Sequence, residues 1–390
     1  MRPALALSLL LCVLWPAAMA ARPYTVEDLL ATETFGEQVL DPTGRWLVIE
    51  HRRPWKAAAR FDFNLHTTTL LTRLEVVDLR RPGPAAPLFD QDPAAGYLAG
   101  PIAPDGAHML VYRLQGHSFE AGLVTLQTRQ VRWLRVTPEL AVYGRIAQWR
   151  SPREVALIAR PDGDLPRQLS LGWEAGQRLV QAWADTAAGQ APSRTRWGSG
   201  RFLAVKPEPK PSCLIAIDAE TGVQRRLAQG EFVDLELSRS GRYAALIANL
   251  EEIQPQADDR VSIATPSRRR GLVLVDLDTG AAGPACPDGD MALHLMSWAP
   301  DRDELLIAQR RPDRAWDARD LVRIEAAARR CRPIALNGLT PAFTYSGEDA
   351  PFLHAAWMGR DPIVYARSGP KGRPDWYRLG AGGSTNLTAR

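Results

Sequence analysis

The chain has 390 residues, 45% of them hydrophobic and 24% charged, with 30 Gly and 31 Pro. These are globular proportions that exclude disorder, collagen and coiled coil. Lys and Arg number 48 against 44 Asp and Glu, a net charge of +4, and the basic residues are scattered, which argues against a nucleic-acid partner. The length suits two or three ordinary domains or one large repeat architecture.

At the N-terminus, Arg2 precedes an apolar run from Ala4 to Trp15, Pro16 breaks it, and Ala18-Met19-Ala20 supplies small residues for a signal peptidase. Residues 1–20 are therefore predicted to be a signal peptide, and the mature chain to be exported, periplasmic or secreted. The apolar run is too short to span roughly 30 Å of hydrocarbon, and no later stretch approaches the ~20 residues that a transmembrane helix needs. No membrane insertion is expected. Residues 21–36 read as a helical segment: Tyr24-Thr25-Val26-Glu27-Asp28-Leu29-Leu30 offers Thr25 as N-cap and acids in the first turn.

From residue 37 onward the sequence repeats. A tight turn followed by a short apolar strand occurs at Asp41-Pro42-Thr43-Gly44-Arg45, Ala103-Pro104-Asp105-Gly106, Ser238-Arg239-Ser240-Gly241-Arg242 and Ala299-Pro300-Asp301-Arg302. A second unit is an alternating strand ending in a hairpin, as in Leu214 to Gly222 and Leu272 to Gly280. Gly permits positive φ and Asp or Ser can bond its own backbone, so both turns are hairpin chemistry. Four antiparallel strands, A to D, recurring about every 50 residues are the signature of a β-propeller blade. The sequence thus predicts an all-β fold, a seven-bladed β-propeller over residues 37–390 with a short N-terminal helix. The blades are placed near 37–90, 98–137, 142–184, 194–229, 231–286, 291–337 and 352–390. Ring closure is expected to rest on apolar packing such as Trp46 and Trp357. The A–B and C–D turns are tight, whereas long B–C loops are expected near 53–73, 249–270 and 310–320, and scaffold-supported long loops carry binding more often than short ones.

Residue types that carry chemistry are sparse. No Gly-x-Ser-x-Gly elbow occurs, Ser199 and Ser346 read as turn residues, and the six histidines show no metal-ligand spacing. No catalytic residue, metal or cofactor is assigned. One B–C loop is less bland: Arg52-Arg53-Pro54-Trp55-Lys56, continuing to Arg60-Phe61-Asp62-Phe63, combines cations with aromatic area that suits a peptide carboxylate or backbone carbonyls. Arg53, Trp55, Lys56 and Arg60 are the candidate substrate-binding residues. Glu251-Glu252 could meet an amine but equally reads as a solvated face. Of the cysteines beyond the leader, Cys213, Cys286 and Cys331, at most two can pair internally, and all three could equally be buried thiols. Any pair is expected to be Cys286 with Cys331, which follow C–D turns at corresponding positions of neighbouring blades.

The run Tyr24 to Leu30 followed by Val39-Leu40-Asp41-Pro42-Thr43-Gly44-Arg45-Trp46-Leu47-Val48 resembles the start of prolyl oligopeptidase family serine peptidases. The leader and the loop ending Arg60-Phe61-Asp62 are most similar to the exported lasso-peptide isopeptidases of that family. The resemblance implies a substrate-gating propeller below a C-terminal α/β-hydrolase domain that carries Ser, Asp and His. That domain is absent from this sequence, so no catalytic residue carries over. Two functions follow: the non-catalytic gating propeller of such a peptidase, its α/β-hydrolase domain missing through truncation, a frameshift or encoding as a separate chain, or a free-standing exported propeller that binds a peptide or protein.

Overall fold

A computed structural model describes residues 22–63, 66–81, 83–141, 144–160, 163–190, 210–252, 268–311, 319–344, 352–369 and 371–389. The leader 1–20, Ser199, Ser346 and most of the two later B–C loops lie outside the described residues. Thr25 caps a helix at Val26–Ala31, and its hydroxyl and the Asp28 carboxylate form a reciprocal capping box.

Among the described residues the strands build six sheets of four or more strands and one small two-stranded ladder, β23 (Phe343–Thr344) with β24 (Phe352–Leu353). Sheet one is β1 (Thr34–Leu40), β2 (Trp46–Arg52), β3 (Thr72–Asp78) and β4 (Ala86–Pro87). Sheet two is β5 (Gly96–Ile102), β6 (His108–Gln115), β7 (Ser118–Thr125) and β8 (Gln130–Trp133). Sheet three joins β9 (Thr137–Pro138), β10 (Ala147–Trp149), β11 (Glu154–Arg160), β12 (Ser212–Asp218) and β13 (Gln224–Gly230). Sheet four is β14 (Phe232–Leu237), β15 (Tyr243–Glu252), β16 (Arg268–Asp276) and β17 (Ala282–Ala285). Sheet five is β18 (Asp290–Trp298), β19 (Glu304–Arg310), β20 (Asp320–Glu325) and β21 (Arg330–Pro333). Sheet six holds β22 (Leu339–Pro341), β25 (Ala355–Met358), β26 (Asp361–Ser368), β27 (Pro374–Gly380) and β28 (Gly383–Asn386). All pairings are antiparallel, and in four of the six larger sheets the order follows the chain, the meander of a propeller blade; in sheets three and six the short strands β9 and β22 pair instead with β11 and β26, on the same edge as β10 and β25.

One placement is corrected. The stretches 142–184 and 194–229, expected to be two blades, contribute to a single sheet, because β11 pairs directly with β12 from Glu154↔Asp218 to Ala159↔Cys213. Between those strands runs a helix of 21 residues, Arg167–Ala187, so the leader helix is not the only helical element. Its apolar residues Leu169, Trp173, Val180 and Trp183 recur at helical spacing rather than in alternation, and it lacks the hairpin turns of the other units.

The turns work as their composition dictates. Gly44, Gly106 and Gly241 in the A–B turns, and Gly222 and Gly280 in the C–D turns, all have φ between 71° and 76°, a region that L side chains avoid. Asp218 and Asp276 each accept backbone N–H bonds from the two residues of the turn they begin.

Packing between sheets explains the continuous apolar runs. Alternate residues of one strand enter cores on opposite faces. Met109 and Val111 pack toward sheet one while Leu110 and Tyr112 pack toward sheet three. Leu305 and Ile307 face sheet four, whereas Leu306 and Ala308 face sheet six. A strand buried on both faces reads as an unbroken hydrophobic run, as β6, β11, β15 and β19 do. In contrast, β2 and β26 alternate buried and half-exposed positions, so sheets one and six each bury one face deeply. Trp46 belongs to the core between sheets one and two, and Trp357 packs against the core between sheets five and six.

A second device locks neighbours together. The indole N–H of Trp149, Trp298 and Trp357, at or next to the end of the first full strand of its sheet, donates to a carbonyl of the preceding sheet: Pro101 at 2.8 Å, Glu236 at 3.1 Å and Ser297 at 2.8 Å. Each indole fills apolar space and satisfies its one donor in the same contact.

Candidate ligand-binding face

The loop after β2 starts with Arg53, whose backbone N–H bonds the Leu71 carbonyl at 3.1 Å. It then turns through a 3-10 segment at Trp55–Ala57 and a short helix at Thr67–Leu71. Trp55, 37% exposed, stacks with Phe61, 63% exposed, their planes 6° apart and centroids at 6.3 Å. This is an open aromatic surface on a loop.

The four sequence-derived site residues divide into two kinds. Arg60 is already engaged: it binds Asp62 through Nε at 2.8 Å, lies 5.2 Å from the Phe63 ring centroid and 5.5 Å from that of Trp173, and reaches the Gly116 carbonyl at 3.4 Å. It ties the loop of sheet one to the β6–β7 hairpin and to the long helix, and so positions the loop. Lys56 pairs with Glu27 of the leader helix at 2.6 Å, and both side chains are largely exposed, a pair that solvent screens and that another anion can replace. Arg53 is different. It is half-buried, its Nε has no hydrogen-bond partner, and among the described residues no carboxylate pairs with it. Its charge helps to hold the Arg73 guanidinium below its usual range, after burial as the larger cause. Among the described residues Arg73 in turn donates to the carbonyls of Thr72, Ala95 and Pro93. Asp92 acts on Arg73 from nearby and offsets part of that lowering, and among the described residues neither cation is ion-paired to a carboxylate, which leaves room for an anion. Glu251 and Glu252 lie at the end of β15 opposite arginines: Glu251 pairs with Arg269 at 2.9 Å and Glu252 faces Arg268 in the ladder. They are a paired edge.

Two cavities flank the first strands of the sheets. One, of about 460 Å³, is bordered by Glu37, Glu50, Arg52, Tyr112 and Arg145. The other, of about 610 Å³, is bordered by Arg145, Trp149, Glu236, Arg239 and Trp298. Their carboxylates mostly hold strands. Glu50 accepts the N–H of Ala99 at 2.8 Å and of Glu37 at 3.0 Å, joining sheets one and two, and Asp234 accepts the N–H of Arg145 at 2.8 Å, joining sheets three and four. Glu236 is ion-paired to Arg145 and so also ties sheets three and four; burial pushes its carboxyl up to about 7, with Arg145 opposing and Asp234 reinforcing the shift. Sequence reading missed these acids because each sits inside an ordinary strand with no local signal.

The sign of the Glu236 effect follows from linkage. A folded-state value raised from 4.5 to about 7 means the native state holds its proton longer, so the stabilisation is complete below about 4.5 and is lost as pH rises through about 7. Glu236→Gln removes the titration. At pH 8 it should be more stable than the parent by at most about 3 kcal/mol, and at pH 4.5 nearly equal to it. Urea titrations at the two pH values check this, and an equal difference at both would assign the change to packing.

Among the described residues no cluster of three or more His, Cys, Asp and Glu is arranged to hold a metal ion, and no helix is long and apolar enough to cross a membrane. No family model matches the chain, and no curated protein does. Solved structures do align with it. The acylaminoacyl peptidase of Pyrococcus horikoshii covers 95% of this chain with 48% of its own, at 10% identity and a TM-score of 0.46. An oligogalacturonate lyase from Vibrio parahaemolyticus covers 90% with 76% of its own, at 12% identity and 0.42. The AtxE2 isopeptidase covers 95% with 53% of its own, at 14% identity and 0.30. This chain spans about half the length of the two peptidases. The named activities differ from one structure to the next, and none is carried over to this chain from the alignments. The class that the molecule itself defines is an all-β, propeller-like meander of antiparallel sheets.

Proposed function

We propose that this chain is an exported propeller that binds a peptide or protein through the loop face of sheet one and does no chemistry of its own. The observation that carries the reading is the half-buried Arg53 guanidinium, without a carboxylate partner among the described residues and near Arg73, two residues before Trp55 of the exposed Trp55–Phe61 stack. An acidic side chain or a C-terminal carboxylate would satisfy both cations, and an adjacent apolar residue would lie on the aromatic stack. In this reading Arg53 and Trp55 make contact, Lys56 exchanges Glu27 for the ligand, and Arg60 keeps the loop in place.

The test is selection of a displayed random peptide library on the mature protein, followed by calorimetry with the selected peptides. Acidic or free-carboxylate peptides should emerge, and Arg53→Ala should weaken them about tenfold or more, the worth of one charge-assisted hydrogen bond. Recovery of no peptide, or equal binding by a variant with Arg53, Trp55, Lys56 and Arg60 all changed to Ala, would sink the proposal.

A second reading makes the same face the substrate side of a serine peptidase whose α/β-hydrolase domain is a separate chain. It is favoured by the leader and first-turn sequence, Tyr24 to Leu30 and Asp41 to Arg45. Co-purification of a serine hydrolase, labelled by a fluorophosphonate probe, distinguishes it from the first.

A further inference from the structure

Little burial holds the N-terminal segment to the body. Helix Val26–Ala31 contains no buried residue, and Tyr24, Val26 and Leu29 are each more than half exposed. Its order is internal: Arg22 pairs with Asp28, and Thr25 and Asp28 close the capping box. The chain joins sheet one only after this helix. Thr34 and Phe35 pair with Arg52 and His51, and the register then slips in a bulge before Gln38. Past Phe35 the strand is pinned where the Glu37 N–H donates to the buried Glu50 carboxylate at 3.0 Å. Residues 22–35 are therefore a strap whose polar ties to the body, among the described residues, are those two ladder positions and two ion pairs. One pair is Glu27 with Lys56, and the other is Glu33 with His51.

His51 stands between two carboxylates: its Nε2 is 3.0 Å from Glu33 Oε2 and its Nδ1 is 3.2 Å from Glu75 Oε1. A neutral imidazole has one N–H and one lone pair, and a carboxylate only accepts, so both contacts are hydrogen bonds only when the ring is protonated. Arg73, opposite His51 in the ladder, turns its guanidinium to the carbonyls of Thr72, Ala95 and Pro93, and the Phe35 ring lies 5.7 Å from the imidazole. Burial opposes the charge, but Glu75 and then Glu33 outweigh it and hold the imidazolium above its ordinary range. We propose that His51 is a pH-operated latch: charged, it fixes the strap to sheet one, and neutral, it lets the strap go. Loss of the proton leaves one N–H between two carboxylates. Glu75 lies on β3 of the same sheet, whereas Glu33 sits on the strap with its side chain 58% exposed, so the Glu33 contact is the one given up. Because the folded-state value is raised, the stabilisation is complete below about 6.5 and is lost as pH rises beyond it through the raised value. Release takes Glu27 away from Lys56, so the exposed cation beside Trp55 becomes free at the higher pH. That consequence alone rests on the reading of the loop as a ligand face; the latch does not.

The position of the strap is read by double electron–electron resonance between nitroxide labels at Val26→Cys and Leu79→Cys, both exposed positions. The oxidised protein suits this labelling, since Cys286 is bonded to Cys331 and Cys213 is buried. At about pH 5.5 the distance distribution should be narrow, and at about pH 8.5 a broad component should hold about three times or more the population it has at the lower pH. Glu33→Gln should abolish this response, because an amide donates to or accepts from either form of the ring, and His51→Gln should abolish it by removing the titrating group. Glu33→Gln, at an exposed position, keeps the test intact if His51→Gln does not fold. A parent distribution that is the same at both pH values would overturn the proposal, and so would a pH response that survives either substitution in a folded variant. Peptide binding is no part of this readout, so failure of the ligand-face reading and failure of the latch are told apart.

Discussion

Trp149→Ala should destabilise the protein by about 3 to 5 kcal/mol, the range for truncating a buried aromatic residue. The indole is 8% exposed and lies in the core shared by sheets two, three and four, and its N–H holds the Pro101 carbonyl at 2.8 Å. Truncation opens a cavity at a junction between sheets and strands a carbonyl that the first strand of sheet two directs inward. Trp149→Phe separates the two effects: it keeps most of the apolar volume and loses the donor, so about 1 to 2 kcal/mol is expected. Denaturant unfolding of both variants measures the difference. If the Phe variant lost as much as the Ala variant, the hydrogen bond would be the main contribution; if neither lost more than 1 kcal/mol, the contact between sheets would be dispensable.

The second large effect concerns covalent closure. Cys286, just after β17 of sheet four, is disulfide-bonded to Cys331, in β21 of sheet five, with Cα atoms 5.8 Å apart across 45 residues of sequence. Closing a loop of that length lowers the entropy of the unfolded chain by an amount worth about 4 kcal/mol at 25 °C. Cys286→Ser with Cys331→Ser should therefore lose about that much, and reduction of the parent should reproduce the loss. Cys213 is buried, bonds the Ala159 carbonyl through its sulfur, and has its thiol pushed up mainly by burial, so it should stay unalkylated in the native protein. Non-reducing peptide mapping checks the pairing directly, and finding three free thiols in oxidised protein would remove this link between sheets four and five.

Much of the fold was legible because propeller blades are local. Asp41 to Arg45, Ser238 to Arg242, and the Asp218 and Asp276 hairpins carry turn chemistry whose meaning depends on a few neighbouring residues, and the strands they join are their nearest neighbours in the sheet. The exception is instructive. Sheet three interrupts its meander with Arg167–Ala187, so β11 and β12 pair across more than fifty intervening residues. Counting turns at a steady period therefore turned one sheet into two blades. Helical periodicity in Leu169, Trp173, Val180 and Trp183 was the available warning.

Outside the stretch from residue 142 to 229, the sequence by itself determined most of the strands and the tight turns, since hydrophobic alternation and φ-positive glycines act over a few residues. The expected pair Cys286 and Cys331 is bonded, but not from matching positions: Cys286 follows the end of β17 whereas Cys331 is near the start of β21. Only the tertiary structure decided what each charged or aromatic side chain meets. Arg60 and Arg53 sit in one loop and read alike in sequence, yet one is clamped by Asp62 and two rings while the other has no carboxylate partner among the described residues. The bridging roles of Glu50, Asp234, Trp149 and Trp298 depend on strands from different sheets being brought side by side. Pairing, burial and protonation are set by neighbours in space, and those come from parts of the chain too distant for any local pattern to encode.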